Sequence, residues 1–250
     1  MLSFENLVNL NYIKMGIFQT LKDIKQCMLP GHKDLGDCSK YAVIGKPVYV
    51  TFPKSLHMEA YAVLRRDATI LNNVNEHVYI KKYTVISANC TIVTNNHRST
   101  VGIHQSLLGA SHINDKSQDI VIEEDVWVGA NVTILSGAHL GRGCIAGACC
   151  MISKPVPPYA LVVGTPAKIV GVKFSIDQII EHEKMLYPES ERFSREYLEE
   201  LFETYYKNKK VFGVTTEFTQ EHLDAINFAL SLRGFDMLEY MEKFKALVKK

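Results

Sequence analysis

Three histidines share one polar stretch of the chain, and the first of them is the best candidate for catalysis. His97 lies in the segment Thr94-Asn-Asn-His-Arg98, and His104 and His112 follow it. A histidine near neutral pH can accept the proton of an attacking hydroxyl group. Histidines are also zinc ligands, although spacings of seven and eight residues do not ensure that these three converge. General-base catalysis by His97 and a zinc site therefore both stay open.

Adjacent cysteines at positions 149 and 150 raise a third chemistry, covalent catalysis. A thiol nucleophile needs a nearby base and a lowered pKa, and no histidine is near this pair in the sequence. A six-residue repeat in this part of the chain points Cys150 inward, together with Cys90 and Cys144. In such interior positions a thiol acts as a small hydrophobe. Cys149 points outward. Direct transfer without a cysteine intermediate is therefore preferred.

A repeat of six residues between Ile122 and Val156 must position these side chains. Helices repeat at 3.6 and strands at 2, so neither explains a period of six. A chain folded into short flat faces, three faces to a turn, does explain it and predicts a triangular prism. The aliphatic position holds Ile122, Val128, Ile134, Leu140, Ala146 and Ile152, and the small position four residues later holds Val126, Val132, Ala138, Cys144, Cys150 and Val156. Gly129, Gly141 and Gly147 are expected at tight corners that need freedom in φ.

The same phase continues upstream, with an interruption. Val74, Ile80, Ile86 and Ile92 are predicted to hold the aliphatic position, and Leu56, Ala62 and Ala68 to extend it, although Arg66 and Asn72 are poor interior residues. Between Ile92 and Ile122 the pattern lapses into a polar excursion loop, residues 95–119. Long loops are more often functional than idle.

Four motifs give the repeat a family resemblance. They are Asp125-Val-Trp-Val-Gly-Ala130, Ser153-Lys154, Pro157-Pro-Tyr-Ala160 and Gly164-Thr-Pro-Ala-Lys168. They resemble the hexapeptide-repeat O-acetyltransferases of the maltose, galactoside and xenobiotic acetyltransferase branch. The resemblance covers roughly residues 55–172, and the long loop and helical C-terminus are similar to capsular or surface polysaccharide acetyltransferases. It implies a mainly β fold, a left-handed parallel β-helix with a C-terminal α-helical extension.

The resemblance also implies a function and site residues. We expect a homotrimer that transfers acetyl from acetyl-CoA to a hydroxyl of a sugar or polysaccharide building block, with His97 as general base and no metal. The residues expected to bind the coenzyme are Trp127, Gly129, Ala130, Gly147, Ala148, Ser153, Lys154 and Lys168; those expected to bind the acceptor are Asn89, Asn95, Asn96, Asp115 and Lys116. Gly171 departs from the family pattern, which has a basic residue there, and Lys173 is the suggested substitute for contact with the 3′-phosphate.

Other functions stay open beside this one. A xenobiotic or antibiotic O-acetyltransferase is the alternative within the branch. From other classes, a non-catalytic β-helix scaffold and a zinc enzyme of the γ-carbonic-anhydrase kind use the same prism. Retention of His97, Trp127 and Lys154 argues against the scaffold.

Bulk properties narrow the class of protein. A formal net charge of +1 over 250 residues gives no basic patch for nucleic acid. No apolar run approaches the ~20 residues that span a bilayer, and the start of the chain does not resemble a signal peptide. Six irregularly spaced cysteines do not suggest a disulfide framework. We therefore expect a reduced, cytoplasmic protein.

Three parts are expected along the chain. Residues 1–54 form an N-terminal segment with a helix around Phe18–Cys27, residues 55–172 form the prism, and residues 173–250 form a helical extension. Ser175-Ile-Asp-Gln178 predicts a capping box that opens the first helix of the extension, which ends before Pro188. Three more helices are predicted at Glu196–Lys207, from Thr219 or Glu221 to Leu232, and at Phe235–Val248.

Overall fold

Short parallel strands wound around a triangular prism form the regular part of the protein. The computed structural model describes residues 20–22, 25 and 28–233. Its strands are β1 (Val43–Ile44), β2 (Tyr49–Val50), β3 (Leu56–Met58), β4 (Val63–Leu64), β5 (Thr69–Leu71), β6 (Val78–Ile80), β7 (Val85–Ile86), β8 (Thr91–Val93), β9 (Ile120–Ile122), β10 (Trp127–Val128), β11 (Thr133–Leu135), β12 (His139–Leu140), β13 (Ile145–Ala146), β14 (Met151–Ile152), β15 (Ala160–Val163), β16 (Lys168–Val172) and β17 (Lys210–Val211). The strands thus begin upstream of residue 55.

Each strand of the prism pairs in parallel with the strand one coil away, and the three resulting sheets are the faces. Face A contains β3, β6, β9 and β12; face B contains β1, β4, β7, β10, β13 and β15; face C contains β2, β5, β8, β11 and β14. The chain visits the faces in the order A, B, C, so every coil crosses an A/B edge, a B/C edge and a C/A edge. Strand β16 turns back antiparallel to β15 and β17 adds beside it, which extends the sheet of face B.

The interior contains the aliphatic stack that the repeat predicts. Ile122, Val128, Ile134 and Ile152 are buried, and so are the small residues Val132 and Ala138 between them. Burial of apolar surface contributes about 25 cal/mol per Å², and this stack belongs to one contiguous apolar core that runs along the prism. The predicted mainly β architecture of stacked coils is therefore confirmed.

The upstream coils keep the prism but not the predicted phase. Met58, Leu64 and Ile70 pair with Ile80, Ile86 and Ile92, so they hold the aliphatic position. Leu56, Ala62 and Ala68 are buried but occupy the small position, and Val74 is 63% exposed. The shift arises because residues 72–77 add an outward bulge at the C/A edge. It also explains the two doubtful residues: Arg66 points to solvent, and buried Asn72 bonds the backbone N–H and C=O of Phe52.

The corner glycines have a different physical reason from the predicted one. None of Gly129, Gly141 and Gly147 has a positive φ; at the B/C edge Asn131 and Cys149 take that conformation instead. A Cβ on Gly129 would lie 2.7 Å from the backbone N of Ala148. These glycines therefore allow the next coil to approach closely, rather than supplying freedom in φ.

The polar excursion loop leaves the prism at the C/A edge and carries one short helix. Strand β8 ends on face C at Val93 and β9 begins on face A at Ile120; between them lies α1 (Gln105–Ser111). The helix is anchored through Leu108, its one fully buried residue, and ends at His112 in the left-handed conformation. The loop thus stands as an ordered projection on one edge of the prism.

Three further α-helices follow the prism within the described residues, which end at 233. They are α2 (Ile176–Leu186), α3 (Arg195–Leu201) and α4 (Gln220–Arg233), with a π-helical segment, Phe202–Tyr206, directly after α3. Ser175 forms the predicted capping box with Gln178 at the start of α2, and the helices predicted near Glu196–Lys207 and up to Leu232 are confirmed. The helix predicted at Phe18–Cys27 lies largely outside the described residues, and the one at Phe235–Val248 lies wholly outside them.

Two carboxylates, buried Glu183 and half-buried Asp125, attach this extension to the prism. Glu183 of α2 accepts hydrogen bonds from Tyr159 Oη at 3.0 Å and from the backbone N–H of Phe193 at 2.6 Å, and pairs with Arg142. Asp125 of the prism accepts from Lys173 Nζ at 2.7 Å and from His182 Nε2 at 3.3 Å. Because both clusters span the prism and α2, they hold the first helix of the extension against the prism. Among the described residues no helix has the length and apolar character needed to cross a membrane.

Candidate active site

His97 lies where β8 gives way to the loop at the C/A edge, as the sequence predicts. The loop closes on itself just beside it, because the backbone N–H of Lys116 donates to the carbonyl of Asn96 and Ser117 Oγ accepts from the N–H of Asn96. Asn95 is held separately by the side chain of Asn73. The predicted residues Asn95, Asn96, Asp115 and Lys116 are therefore brought together around His97.

Asp115 orients the imidazole of His97. Its Oδ2 lies 3.0 Å from Nδ1 of His97 and 2.9 Å from Nδ1 of His112. A carboxylate can only accept, so Nδ1 of His97 carries the proton when His97 is neutral, and Nε2 keeps its lone pair. This is the tautomer that a general base needs. A Cβ placed on Gly109 of α1 would be 3.9 Å from Nε2, an ordinary contact distance, so the glycine leaves room for an atom beside the basic nitrogen.

The imidazoles of His112 and His97 also lower the pKa of the Asp115 carboxyl group. The hydrogen bond from His112 is the largest influence on the pKa of Asp115; burial raises that pKa, the contacts with His97 lower it, and the balance is a pKa below the ordinary value. Asp115 therefore stays ionised through the neutral range, in which a base of this kind acts. The sequence named Asp115 for acceptor contact but did not reveal this pairing.

The same three side chains offer ligands for a metal ion. One nitrogen each from His97 and His112 and one oxygen from Asp115 lie within 4.8 Å of one another. His104, the third histidine of the zinc alternative, lies apart and hydrogen-bonds to Ser106 instead. The convergence is thus of two histidines and an aspartate, not of the three histidines.

The predicted coenzyme residues of the repeat lie along a different edge. Gly129, Ala130, Gly147 and Ala148 stack on the B/C edge in consecutive coils. The N–H groups of Gly129 and Gly147 are used between coils, donating to Ala146 and Val162. Throughout the described part of the chain, the N–H groups of Ala130 and Ala148 have no hydrogen-bond acceptor. This edge therefore presents two unused donors one coil apart.

Trp127 and Asn89 border the same edge. Trp127 is 56% exposed on face B, as its alternation with buried Val128 predicts. Asn89 is exposed in the left-handed conformation one coil below Asn131, away from the loop that carries His97. The B/C edge thus combines free backbone donors with an exposed indole.

The residues expected to meet phosphates are divided between the edges. Ser153 and Lys154 are exposed on the C/A edge, two coils beyond His97, and Lys168 is exposed at the tip of the β15–β16 hairpin near the B/C edge. Lys173, the suggested substitute for the missing basic residue at 171, is paired with Asp125 at 2.7 Å. Its contact with a phosphate stays a prediction, and that ion pair competes with it.

The cysteines fit the repeat and not covalent catalysis. Cys90, Cys144 and Cys150 are buried, Cys149 is exposed, and the five described cysteines are free of disulfides. Burial raises the pKa of the Cys150 thiol to about 11. An activated nucleophile has a lowered pKa instead, so the inward thiols serve as packing groups.

Comparison with known proteins places the repeat in a family. Residues 119–154 match the bacterial transferase hexapeptide family, described as six repeats. A chloramphenicol acetyltransferase of Escherichia coli is 38% identical over 64 residues, 26% of this chain and 30% of that protein. A probable macrolide acetyltransferase of Lysinibacillus sphaericus is 44% identical over 61 residues, 24% of this chain and 34% of that protein. The chain thus spans about a third of the length of these curated relatives.

A similar shape occurs among solved structures. A galactoside acetyltransferase in complex with coenzyme A has a TM-score of 0.49 and 21% sequence identity, and the match covers 65% of this chain and 74% of that chain. Within residues 119–154 the sequence repeat, the three parallel sheets and the family match agree. The predicted resemblance is confirmed for this segment: residues 119–154 match the hexapeptide transferase family, the fold is the predicted left-handed parallel β-helix, and the named relatives that share the repeat are acetyltransferases.

Proposed function

We propose that the protein is an acetyl-CoA-dependent O-acetyltransferase whose general base is His97. The observation that carries this proposal is the pairing of His97 with Asp115, which leaves the lone pair on Nε2 of a side chain that is 30% exposed. Nε2 removes the proton of an acceptor hydroxyl while the hydroxyl oxygen attacks the carbonyl carbon of the thioester. The C–S bond then breaks, and the imidazolium returns the proton to the coenzyme A thiolate, so that the base is regenerated.

The B/C edge suits the donor substrate. The free N–H groups of Ala130 and Ala148 can bond the amide-bearing pantetheine arm, and that of Ala130 can stabilise the oxyanion of the tetrahedral intermediate. A donor of this kind contributes about 3–4 kcal/mol to well-studied acyl transfers. Lys154 and Lys168, with the hydroxyl of Ser153, supply the donors for phosphate groups.

A homotrimer would bring the C/A edge, which carries His97, beside the B/C edge, which carries the free backbone donors. His97 and Ala130 lie on opposite sides of face C, so one chain by itself does not bring the base to the proposed thioester position. The C/A edge of one copy set against the B/C edge of the next would do so, giving three equivalent sites. Exposed Trp127 would then form part of the contact or of the coenzyme wall.

The acceptor is proposed to be a hydroxyl of a sugar or polysaccharide building block. The loop around His97 presents the amide Asn96 and the ammonium of Lys116, hydrogen-bonding groups that suit a polyhydroxylated acceptor. The alternative is an antibiotic hydroxyl, and it is supported by the chloramphenicol and macrolide acetyltransferases among the relatives. Growth with chloramphenicol or a streptogramin, with and without expression, separates the two.

Calorimetric titration with acetyl-CoA tests the donor without knowledge of the acceptor. Saturable binding near one site per chain is expected, weaker in Lys154→Ala and unchanged in Lys82→Ala, a matched exposed lysine on the A/B edge. The lack of any binding at millimolar concentration would contradict the proposed function.

A zinc enzyme is the second candidate, because His97, His112 and Asp115 converge. Metal analysis of the purified protein distinguishes it. One zinc per chain that is lost in His112→Ala would replace the general-base assignment, since a metal-bound His97 cannot act as a base. Metal-free protein that still transfers acetyl, and does so in His112→Ala, would exclude the zinc candidate.

A further inference from the structure

A cleft between the prism and its C-terminal extension lies apart from the B/C edge and from His97, and its rim at Pro155 directly follows Lys154 on the C/A edge. It has a volume of about 440 Å³, within the range of small-molecule sites. The residues that line it are Glu123, His139, Gly141, Arg142, Pro155, Val156, Pro157, Pro158, Phe193, Tyr197, Leu201 and Tyr205. It opens over face A and the A/B edge, whereas the free backbone donors lie on the B/C edge.

One wall of the cleft is a helical row of aromatic side chains. Tyr197, Leu201 and Tyr205 follow at intervals of four residues and so share one face of α3 and its π-helical continuation. Leu201 is buried, whereas Tyr197 and Tyr205 are 40% and 46% exposed and offer ring surface to the cleft. The opposite wall is the proline-rich segment 155–158. Two apolar walls that face each other suit a flat ring.

The π-helical segment fixes the position of Tyr205. Such segments are rare and often occur at functional sites. Here the segment allows the hydroxyl of the adjacent Tyr206 to donate to the carbonyl of Pro158, which ties the aromatic wall to the proline wall. The width of the cleft is therefore set by a direct hydrogen bond between its two sides.

The floor of the cleft is polar but has no unpaired charge. Glu123 is paired with Lys81 at 2.6 Å and with Nε2 of His139 at 2.9 Å. Arg142 is paired with Glu124 and Glu183. Such a floor does not select an ion, because each charge already has its partner.

Hydrogen-bonding capacity nevertheless remains on that floor. Nε2 of His139 is engaged by Glu123, and among the described residues neither Nδ1 of His139 nor Nη2 of Arg142 has a hydrogen-bond partner. Carboxylate oxygens of Glu123 also retain lone pairs. The floor thus offers both donors and acceptors to a neutral, hydroxylated ligand.

We propose that this cleft binds a neutral saccharide unit at a site separate from the acetyl-transfer centre. The apolar C–H face of a pyranose ring packs on Tyr197 and Tyr205, and its hydroxyls bond to His139, Glu123 and Arg142. The inference rests on the cleft alone and stands whether or not the proposed reaction is correct. In a polysaccharide-modifying protein, such a site would hold the polymer near the catalytic edge.

Saturation-transfer NMR with maltotriose tests the proposal on the full-length chain. Transfer to the ring C–H protons is expected, and affinity about tenfold weaker in Tyr205→Ala, with Tyr205→Phe close to wild type because it keeps the ring. Phe228→Ala removes an exposed aromatic of α4 that is 65% exposed, and it serves as the matched control with unchanged transfer.

Three results would overturn the inference. They are no transfer to maltotriose at millimolar concentration, transfer that Tyr205→Ala leaves unchanged, and transfer to glucose 6-phosphate in preference to maltotriose. Failure of the proposed function would show differently, as loss of acetyl-CoA binding in the wild-type titration with maltotriose transfer intact.

Discussion

Oδ2 of Asp115 lies 3.0 Å from Nδ1 of His97, and the loop that carries α1 separates the two residues in the chain. The contact exists because backbone and side-chain hydrogen bonds close that loop at its base, between Asn96 and Ser117. His97, the proposed general base, and Asp115 are thus held together by a loop closure and not by the prism itself. The prism supplies the rigid edge from which both ends of the loop depart.

Asp115→Asn keeps the imidazole of His97 but should change its tautomer, so this variant tests whether Asp115 orients His97. An amide donates as well as accepts, so it can hold His97 in the tautomer that lacks a lone pair on Nε2. We expect kcat for acetyl transfer to fall about 10²-fold or more, with the affinity for acetyl-CoA unchanged. Steady-state kinetics and calorimetry check this. Equal kcat in the variant would show that Asp115 does not orient the base.

The absence of a side chain at Gly109 is expected to determine how large an acceptor fits beside Nε2 of His97. Leu at this position would project toward Nε2 of His97, since even a Cβ there lies at 3.9 Å. Gly109→Leu should raise KM for a bulky acceptor and lower kcat, with acetyl-CoA binding unchanged. Gly109→Ala should retain activity and stabilise α1 by about 0.5–1 kcal/mol, because alanine favours helix.

The control for this prediction is Ala110→Leu, an exposed position on the same helix. It should leave both kinetic constants close to wild type. Equal losses in Ala110→Leu and Gly109→Leu would indicate general damage to α1 rather than obstruction of the base.

The six-residue repeat was sufficient to predict the interior residues of the prism downstream of the loop. Upstream of the loop it predicted the wrong phase, for a definite physical reason. Between Ile122 and Ile152 no residue is inserted, so counting by six identifies every buried apolar side chain. Upstream, the bulge at residues 72–77 shifts the count, and a repeat alone does not show where an insertion falls. Arg66 and Asn72 themselves indicated the insertion, because two polar residues in predicted interior positions show that the repeat is counted in the wrong phase.

Contacts between distant residues were the part that sequence could not supply. Lys173 looked available for a phosphate because its partner Asp125 is 48 positions away in the chain. Asp115 was named, but its pairing with His97 depends on how the loop closes. The roles of the individual site residues, and the division into residues 1–54, 55–172 and 173–250, stay predictions.

Glu183→Ala should destabilise the protein strongly. The buried carboxylate is the shared partner of Tyr159, Arg142 and the N–H of Phe193, and its loss leaves a guanidinium and a hydroxyl poorly paired. Removing one partner of a buried ion pair costs about 3–5 kcal/mol. Urea unfolding measures this, with exposed Glu181→Ala as the control within about 0.5 kcal/mol of wild type. A loss below about 1 kcal/mol in Glu183→Ala would contradict the buried network.

Asp125→Asn should remove part of the acid sensitivity of the fold. Burial raises the pKa of Asp125, but the contacts from His182 and Lys173 lower it more, so that it lies below its ordinary value. A depressed carboxyl pKa stabilises the fold above the ordinary value of about 3.9, and this contribution is lost as the pH falls through the folded-state pKa. The stability gap between wild type and Asp125→Asn should therefore be full at pH 6–7 and shrink below about pH 4. Urea unfolding across this range checks it, with surface-paired Asp177→Asn as control; a gap that is constant with pH would refute the prediction.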